Sequence, residues 1–289
     1  MTQTIWLLST AHLKNHLWFL DEDDFKTGMN LVAITTTKVP VRVLSFSLMS
    51  NHVHFILSGR REAADAFINY FKRAYSRYMH NKYGLKEFLR ENEVDIRPIQ
   101  QEGESAERAI AYVHMNCVAA NICAHPAEYE WSSAACPFRV RKSQGIHLDQ
   151  LSERERIRLF HSKVRLPEEW LLGKESYILP ECYVDYQFVE RIFRTPKRMN
   201  YFLNNSSKAR MRVETSETAL PSFKDQVIIS ALGDLLRTLF HKNLLEELSD
   251  DEMTEYFRQI RFRFSADISQ IARVTGSSYE TVAKHLDSI

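Results

Sequence analysis

The segment Met49-Ser50-Asn51-His52-Val53-His54-Phe55-Ile56-Leu57 constrains this chain more than any other. Its alternation reads as a β-strand, whose successive side chains point to opposite faces. Val53, Phe55 and Leu57 therefore turn toward a core. His52 and His54 turn the other way, about 6.6 Å apart by strand rise. Only a sheet that packs helices against one face and keeps the other for something else suits such a strand. Neutral imidazole is a common metal ligand, so the pair is a two-ligand platform. By itself the pair reads first as two ordinary histidines on a solvent-facing strand face. Residues 41–48 read as a preceding strand, and Ser50-Asn51 as the tight turn of an antiparallel hairpin.

The elements around this hairpin follow a recognisable order. Residues 4–13 are apolar and β-branched, and predict a first strand. Asp21-Glu22-Asp23-Asp24 supplies an acidic helix start, and the helix runs on over 25–37 to Pro40. After the hairpin, Phe67, Phe71, Ala74 and Tyr78 recur at helical spacing within 62–83, and Gly84 is the stop. A short strand is expected over 94–99. Ser105 is positioned to cap a helix over 105–122. The order β-α-β-β-α-β is the ferredoxin-like supersecondary pattern. It places two helices on one sheet face and leaves His52 and His54 on the other.

The expected class is α+β: a ferredoxin-like βαββαβ domain over 1–140, then an all-α C-terminal region. Arg139 to Ser143 are basic and polar and mark the boundary. Residues 141–217 form a helical connecting region, closing in a polar stretch from Asn204 to Glu217 that resembles a linker. Residues 218–289 form the last domain. Within it, 223–248 is strongly helical and 267–286 resembles a helix-turn-helix with Gly276 as the turn. Ser277, Ser278, Tyr279, Thr281 and Lys284 are then the residues placed to reach DNA. A plain three-helix fold has the same pattern.

Composition narrows the function classes. The chain has 289 residues, 44% hydrophobic, with a net charge of +1, so any nucleic-acid surface must be local. Cys117, Cys123, Cys136 and Cys182 show no C-x-x-C spacing, which argues against a zinc knuckle or disulfide framework. No apolar run reaches membrane-spanning length. A cytoplasmic protein with no membrane partner is expected.

On the wheel of helix 105–122, Ile110, Val113 and Cys117 share the core stripe. Tyr112 and Asn116, one turn apart, share a face about 110° away, and His114 falls nearly opposite Tyr112. A phenol can act as a covalent nucleophile and a carboxamide oxygen can ligate a hard cation. A half-buried tyrosine beside a helix-end asparagine would look the same. The long helix adds a basic stripe: Arg73, Arg77 and His80, with Lys72, interleaved with Tyr75, Tyr78 and Tyr83. Such residues hold phosphates and stack bases, or form a solvated helix face.

Asn51-His52-Val53-His54 resembles the HUH signature (His, hydrophobic, His) of single-tyrosine transposases. Tyr112-Val113-His114-Met115-Asn116 resembles the Tyr-Ile-His-Leu-Asn segment of their REP-associated branch. Tyr129-Glu130-Trp131-Ser132-Ser133 resembles the Tyr-Pro-Trp-Ser-Ser that follows there, and Phe19-Leu20-Asp21-Glu22-Asp23-Asp24 resembles that family's first-helix entry. The resemblance covers residues 4 to 138 in the family's order. It implies a catalytic domain acting on single-stranded or hairpin DNA. By it, His52, His54 and Asn116 bind Mg²⁺ or Mn²⁺. By it, too, Tyr112 attacks a DNA phosphate, forms a 5′-phosphotyrosine link and frees a 3′-OH that later rejoins the strand. It also implies that such enzymes commonly act as homodimers. The chain departs from the family at Asn116-Cys117-Val118-Ala119-Ala120-Asn121, where Asn-Pro-Val-Arg-Ala-Gly is usual, and at Ala11-His12-Leu13-Lys14-Asn15, where Arg-Gly-Asn-Asn-Arg is common. These changes bear on DNA-sequence preference. Two other functions fit the same residues: a catalytically inactive DNA-binding regulator, and a metal-dependent phosphodiesterase that uses water.

Overall fold

A computed structural model describes residues 4–13, 17–100, 103–140, 143–208 and 222–287. The first half runs β1 (Ile5–Thr10), α1 (Glu22–Lys38), β2 (Arg42–Met49), β3 (His52–Ser58), α2 (Arg61–Tyr83) and β4 (Val94–Ile99). The sheet order is β2-β3-β1-β4, and every pairing is antiparallel. The class is α+β. Phe55 stacks edge-on against Phe67 and Phe71 of α2, so the Val53-Phe55-Leu57 face looks toward the helices as its alternation predicts. The opposite face is crossed by α3 (Ser105–His114). All seven residues of β3 are buried. The imidazoles are therefore not on a solvent-facing strand surface.

The acidic helix start has a structural use. Asp21 caps α1, accepting the Asp24 N–H at 2.9 Å, while the Asp24 carboxylate accepts the Leu20 N–H at 2.8 Å. Asp24 is fully buried and also accepts from the Tyr78 hydroxyl and from Lys82 Nζ, each at 2.9 Å. The start of α1 is thereby tied to the end of α2. That helix stops at Gly84, whose φ of +72° is left-handed and favours glycine.

The Tyr129–Ser133 motif covers a sheet edge. The Leu48 N–H donates to the Trp131 carbonyl at 2.9 Å, the Phe46 N–H donates to Ser133 Oγ at 2.9 Å, and the Tyr129 hydroxyl donates to the Leu48 carbonyl at 2.7 Å. These bonds occupy the otherwise unpaired edge of β2. The far edge, on β4, exposes Asp95, Arg97 and Pro98, which resist further strand pairing.

Helix 105–122 is interrupted at Met115 and resumes as α4 (Asn116–Ala119). Next come α5 (Glu153–Phe160), α6 (Tyr186–Phe193) and α7 (Pro196–Asn204). The stretch expected from the sequence to form a separate connecting region shares the first core as far as Leu203, through Leu148, Phe160, Ile178 and Phe193. Buried Asn30 of α1 accepts the Ile178 N–H at 2.9 Å, fixing that region to the domain. The linker expected over 204–217 lies outside the described residues from 209 onward.

A second core joins α8 (Asp225–Leu235), α9 (Asp250–Phe264), α10 (Ile268–Thr275) and α11 (Tyr279–Asp287) through Ile228, Phe257, Ile271 and Val282. The helix expected over 223–248 continues past α8 as a π turn to Phe240 and ends at His241, which takes a left-handed φ of +56°. Gly276, at φ +71°, separates α10 from α11. Among the described residues, no helix is long and apolar enough to cross a membrane.

The two cores meet at the β2–β3 turn. Ser50 Oγ donates to the fully buried carboxylate of Asp225. That carboxylate also accepts from Gln270 Nε2 at 2.8 Å and from Arg273 at 2.7 and 3.0 Å. Nearby, the Ser222 hydroxyl donates to the Asn121 carbonyl at 2.7 Å.

His114 is completely buried, and neither ring nitrogen has a partner. Burial pushes its pKa down to about 3, from 6.5. The unfolded chain then binds the extra proton, so stability is full above pH 6.5 and falls as pH drops toward the folded pKa. In urea unfolding, His114→Leu is expected to remove about 2 kcal/mol of the stability lost between neutral pH and about pH 5. An unchanged pH profile would contradict this. Asp24→Ala removes the buried acceptor of the Leu20 N–H and the Tyr78 hydroxyl, while Lys82 keeps Asp21, and is expected to lower stability by on the order of 2 kcal/mol, read as a reduced urea midpoint.

Candidate active site

β3 presents His52 and His54 side by side with ring centroids 4.8 Å apart and planes at 89°. Tyr112 of α3 meets His54 edge-on at 5.7 Å. A strand-borne pair and a helix-borne phenol therefore converge, because α3 packs across the face that β3's aromatic residues leave free. Asn116 follows one turn later. Its Nδ2 donates to the Tyr112 and Val113 carbonyls at 2.9 and 3.2 Å. That side-chain competition for main-chain carbonyls coincides with the break at Met115 and commits the amide nitrogen, so oxygen is the atom left for ligation.

Both imidazoles are held in their neutral form. His52 Nδ1 lies 2.8 Å from Asn51 Oδ1, an acceptor, so Nδ1 carries the proton and Nε2 keeps its lone pair. His54 Nδ1 contacts Ser9 Oγ at 2.8 Å, across the β1–β3 register that pairs these two residues. His54 Nε2 is buried with no partner. Burial, with lesser contributions from Lys208 and His12, pushes the His54 pKa down to about 3. Burial and the neighbouring His54 hold His52 well below the ordinary range. Among the described residues, no three His, Cys, Asp or Glu side chains gather at a metal-binding distance. A cation here would rest on two nitrogens and the Asn116 oxygen, with the remaining positions left to substrate oxygens or water. An orphaned Nε2 and a neutral pair fit that role.

Tyr112 is half-buried, and burial raises its pKa above 10.0, opposed by the more distant Arg97 charge. The phenol is protonated at neutral pH and needs help to ionise. Lys208 Nζ sits 5.0 Å from the centroid of its ring. His12 stacks on His52 at 3.9 Å with planes 13° apart. The sequence did not single out Ser9, His12 or Lys208. Register brings the first to His54, and the other two arrive from segments with no local motif.

A cavity of about 550 Å³ opens between this face and the C-terminal bundle. His12, His52, Asn116, Lys208, Arg273 and Tyr279 are among its walls. A larger cavity of about 930 Å³, beside Arg42, Glu107 and Phe188, contains none of the predicted site residues.

The other residues expected to meet DNA lie elsewhere. Arg73 and Arg77 are exposed on α2, across the sheet from the histidines. Lys72 Nζ donates to the Asn92 carbonyl, so its charge is used within the fold. The interleaved tyrosines are not free stacking platforms. Tyr75 donates to the Trp18 carbonyl, Tyr78 to Asp24, and Tyr83 to Asp21. Ser278 Oγ accepts the Thr281 N–H at 3.0 Å and contacts the Thr281 hydroxyl, an N-terminal cap of α11. Ser277 bonds Thr275. Thr281 and Lys284 are exposed, and Tyr279 turns into the cavity.

Residues 13–94 match the family model described as IS200-like transposase. The match includes both histidines and ends before Tyr112. No curated protein matches the chain. A solved REP-associated tyrosine transposase bound to a REP hairpin aligns at 11% identity over 46% of this chain and 78% of that one, with a TM-score of 0.36. A score that low carries no weight for the fold. The segment that holds His52 and His54 is therefore similar to the IS200-like transposase family.

Proposed function

We propose that this chain is a divalent-metal-dependent, single-tyrosine DNA transesterase of the REP-associated branch, built on a ferredoxin-like βαββαβ domain. The observation that carries the reading is the 5.7 Å approach of the Tyr112 ring to His54, beside His52. His52 Nε2, His54 Nε2 and Asn116 Oδ1 would hold Mg²⁺ or Mn²⁺. When bound, that ion polarises the scissile phosphate and offsets charge developing on its oxygens. A site with two nitrogens and no carboxylate suits Mn²⁺ better than Mg²⁺.

Tyr112 Oη then forms the bond to phosphorus as the P–O3′ bond breaks. The phenol gives up one proton and the departing O3′ takes one up, leaving a 5′-phosphotyrosine and a free 3′-OH. Attack by a 3′-OH reverses the exchange and reseals the strand. Burial raises the phenol's pKa further above neutral, so ionisation needs the cation and substrate phosphate beside it. Asn51 and Ser9 orient the two imidazoles. The α10–α11 pair serves as a helix-turn-helix-like DNA-binding element, with Ser277, Ser278, Thr281 and Lys284 on its outer side.

Incubation with labelled hairpin DNA and Mn²⁺, followed by a denaturing gel, tests the reading. The wild-type chain is expected to give a covalent adduct. Tyr112→Phe should give none, and His52→Ala should form it about a hundredfold or more slowly. Tight binding without an adduct would identify a regulator. Cleavage that survives Tyr112→Phe but is lost in His52→Ala would identify a hydrolase using water.

A further inference from the structure

Opposite the sheet, the catalytic cleft is walled by the C-terminal bundle and by Lys208, which follows α7. Lys208 Nζ lies over the Tyr112 ring and lines the cavity that His52 and Asn116 share. Its ammonium is partly buried, and no carboxylate pairs with it among the described residues. The other charges in the cavity are already engaged. Arg273 makes two bonds to Asp225, and Asp267 caps α10 by accepting the Gln270 N–H at 2.7 Å. A partly desolvated cation with no counter-charge is unfavourable, and an incoming anion relieves it. Tyr279, 53% exposed at the first turn of α11, lines the same cavity and is its one aromatic ring besides the imidazoles among the described residues. A phosphate site and an exposed aromatic face in one small cleft are the two elements that hold unpaired nucleotides. Paired bases within a duplex do not offer their faces for such stacking.

We infer that the cleft between the catalytic face and the C-terminal bundle takes an unpaired nucleotide of single-stranded DNA, with Lys208 holding its phosphate beside Tyr112 and Tyr279 stacking on its base. The inference rests on the reading of Tyr112 as the nucleophile only for the phosphate's catalytic use; binding is separable from it. In this arrangement the last two helices help to build the substrate site.

Fluorescence anisotropy with a short fluorescein-labelled single-stranded oligonucleotide, in chelator and with the full chain, tests the cleft without chemistry. Lys208→Ala is expected to weaken binding about tenfold and to flatten the salt dependence by about 0.7 in log–log slope, the loss of one phosphate contact. Lys208→Arg should restore most of both. Tyr279→Ala is expected to weaken binding about tenfold with the salt slope unchanged, and Tyr279→Phe should restore it. Lys174→Ala, an exposed charge far from the cleft, should bind as wild type, and blunt duplex of the same sequence should compete poorly. Circular dichroism confirms that each variant is folded. Wild-type affinity in both alanine variants, or duplex competing as well as single strand, would overturn the inference even if the Tyr112 adduct forms. Cleft-dependent binding with no adduct would instead uphold it and remove the nucleophile.

Discussion

The site depends on β3 being buried on both faces. One face gives Phe55 to the aromatic layer of α2, and the other gives two imidazoles to α3. A strand packed on both sides has no freedom to slip, since a one-residue shift would put histidine into the aromatic layer and phenylalanine into the cleft. Burial also does chemical work. It keeps both rings neutral, and their outer nitrogens are oriented by Asn51 and Ser9 rather than by solvent. Sheet packing thus fixes the protonation and the direction of both imidazoles together.

The second constraint is the buried Asp225. A carboxylate taken out of water is tolerated only if it is fully paired, and here Ser50, Gln270 and Arg273 pair it. Ser50 belongs to the turn immediately before His52, while Arg273 and Gln270 belong to α10. This network seats the C-terminal bundle beside the metal-ligand candidates. It also explains why Arg273 is unsuited to phosphate binding despite its place in the cavity, whereas Lys208 has no carboxylate partner among the described residues.

Much of the N-terminal half was legible because its signals are local. Alternation gave β3 its two faces, helical spacing put Tyr112 and Asn116 on one side of α3, and Gly84 stopped α2 where its left-handed turn requires. Asp21 and Asp24 were legible as a helix start but not as the anchor for Tyr78 and Lys82, which lie more than fifty residues away. The long-range partners were hidden for the same reason. Ser9 reaches His54 only through strand register, His12 reaches His52 just beyond the end of the same strand, and Lys208 arrives through the packing of a region with no motif of its own. The tyrosines of α2 misled because helical spacing gives the same pattern for a core stripe as for a stacking surface; their hydroxyls proved to be core hydrogen-bond donors. Tyr279 read as an outward contact of a helix-turn-helix, since nothing local reports that the first turn of α11 faces the cleft.

The central claim is that the Nε2 atoms of His52 and His54 and the oxygen of Asn116 converge on one cation beside the Tyr112 hydroxyl. Anomalous diffraction at the manganese edge, from crystals of the full chain grown with Mn²⁺, measures this directly. A single strong peak bounded by those three atoms is expected, on the Tyr112 side of β3. A peak elsewhere, or none at a Mn²⁺ concentration that supports DNA cleavage in solution, would contradict it.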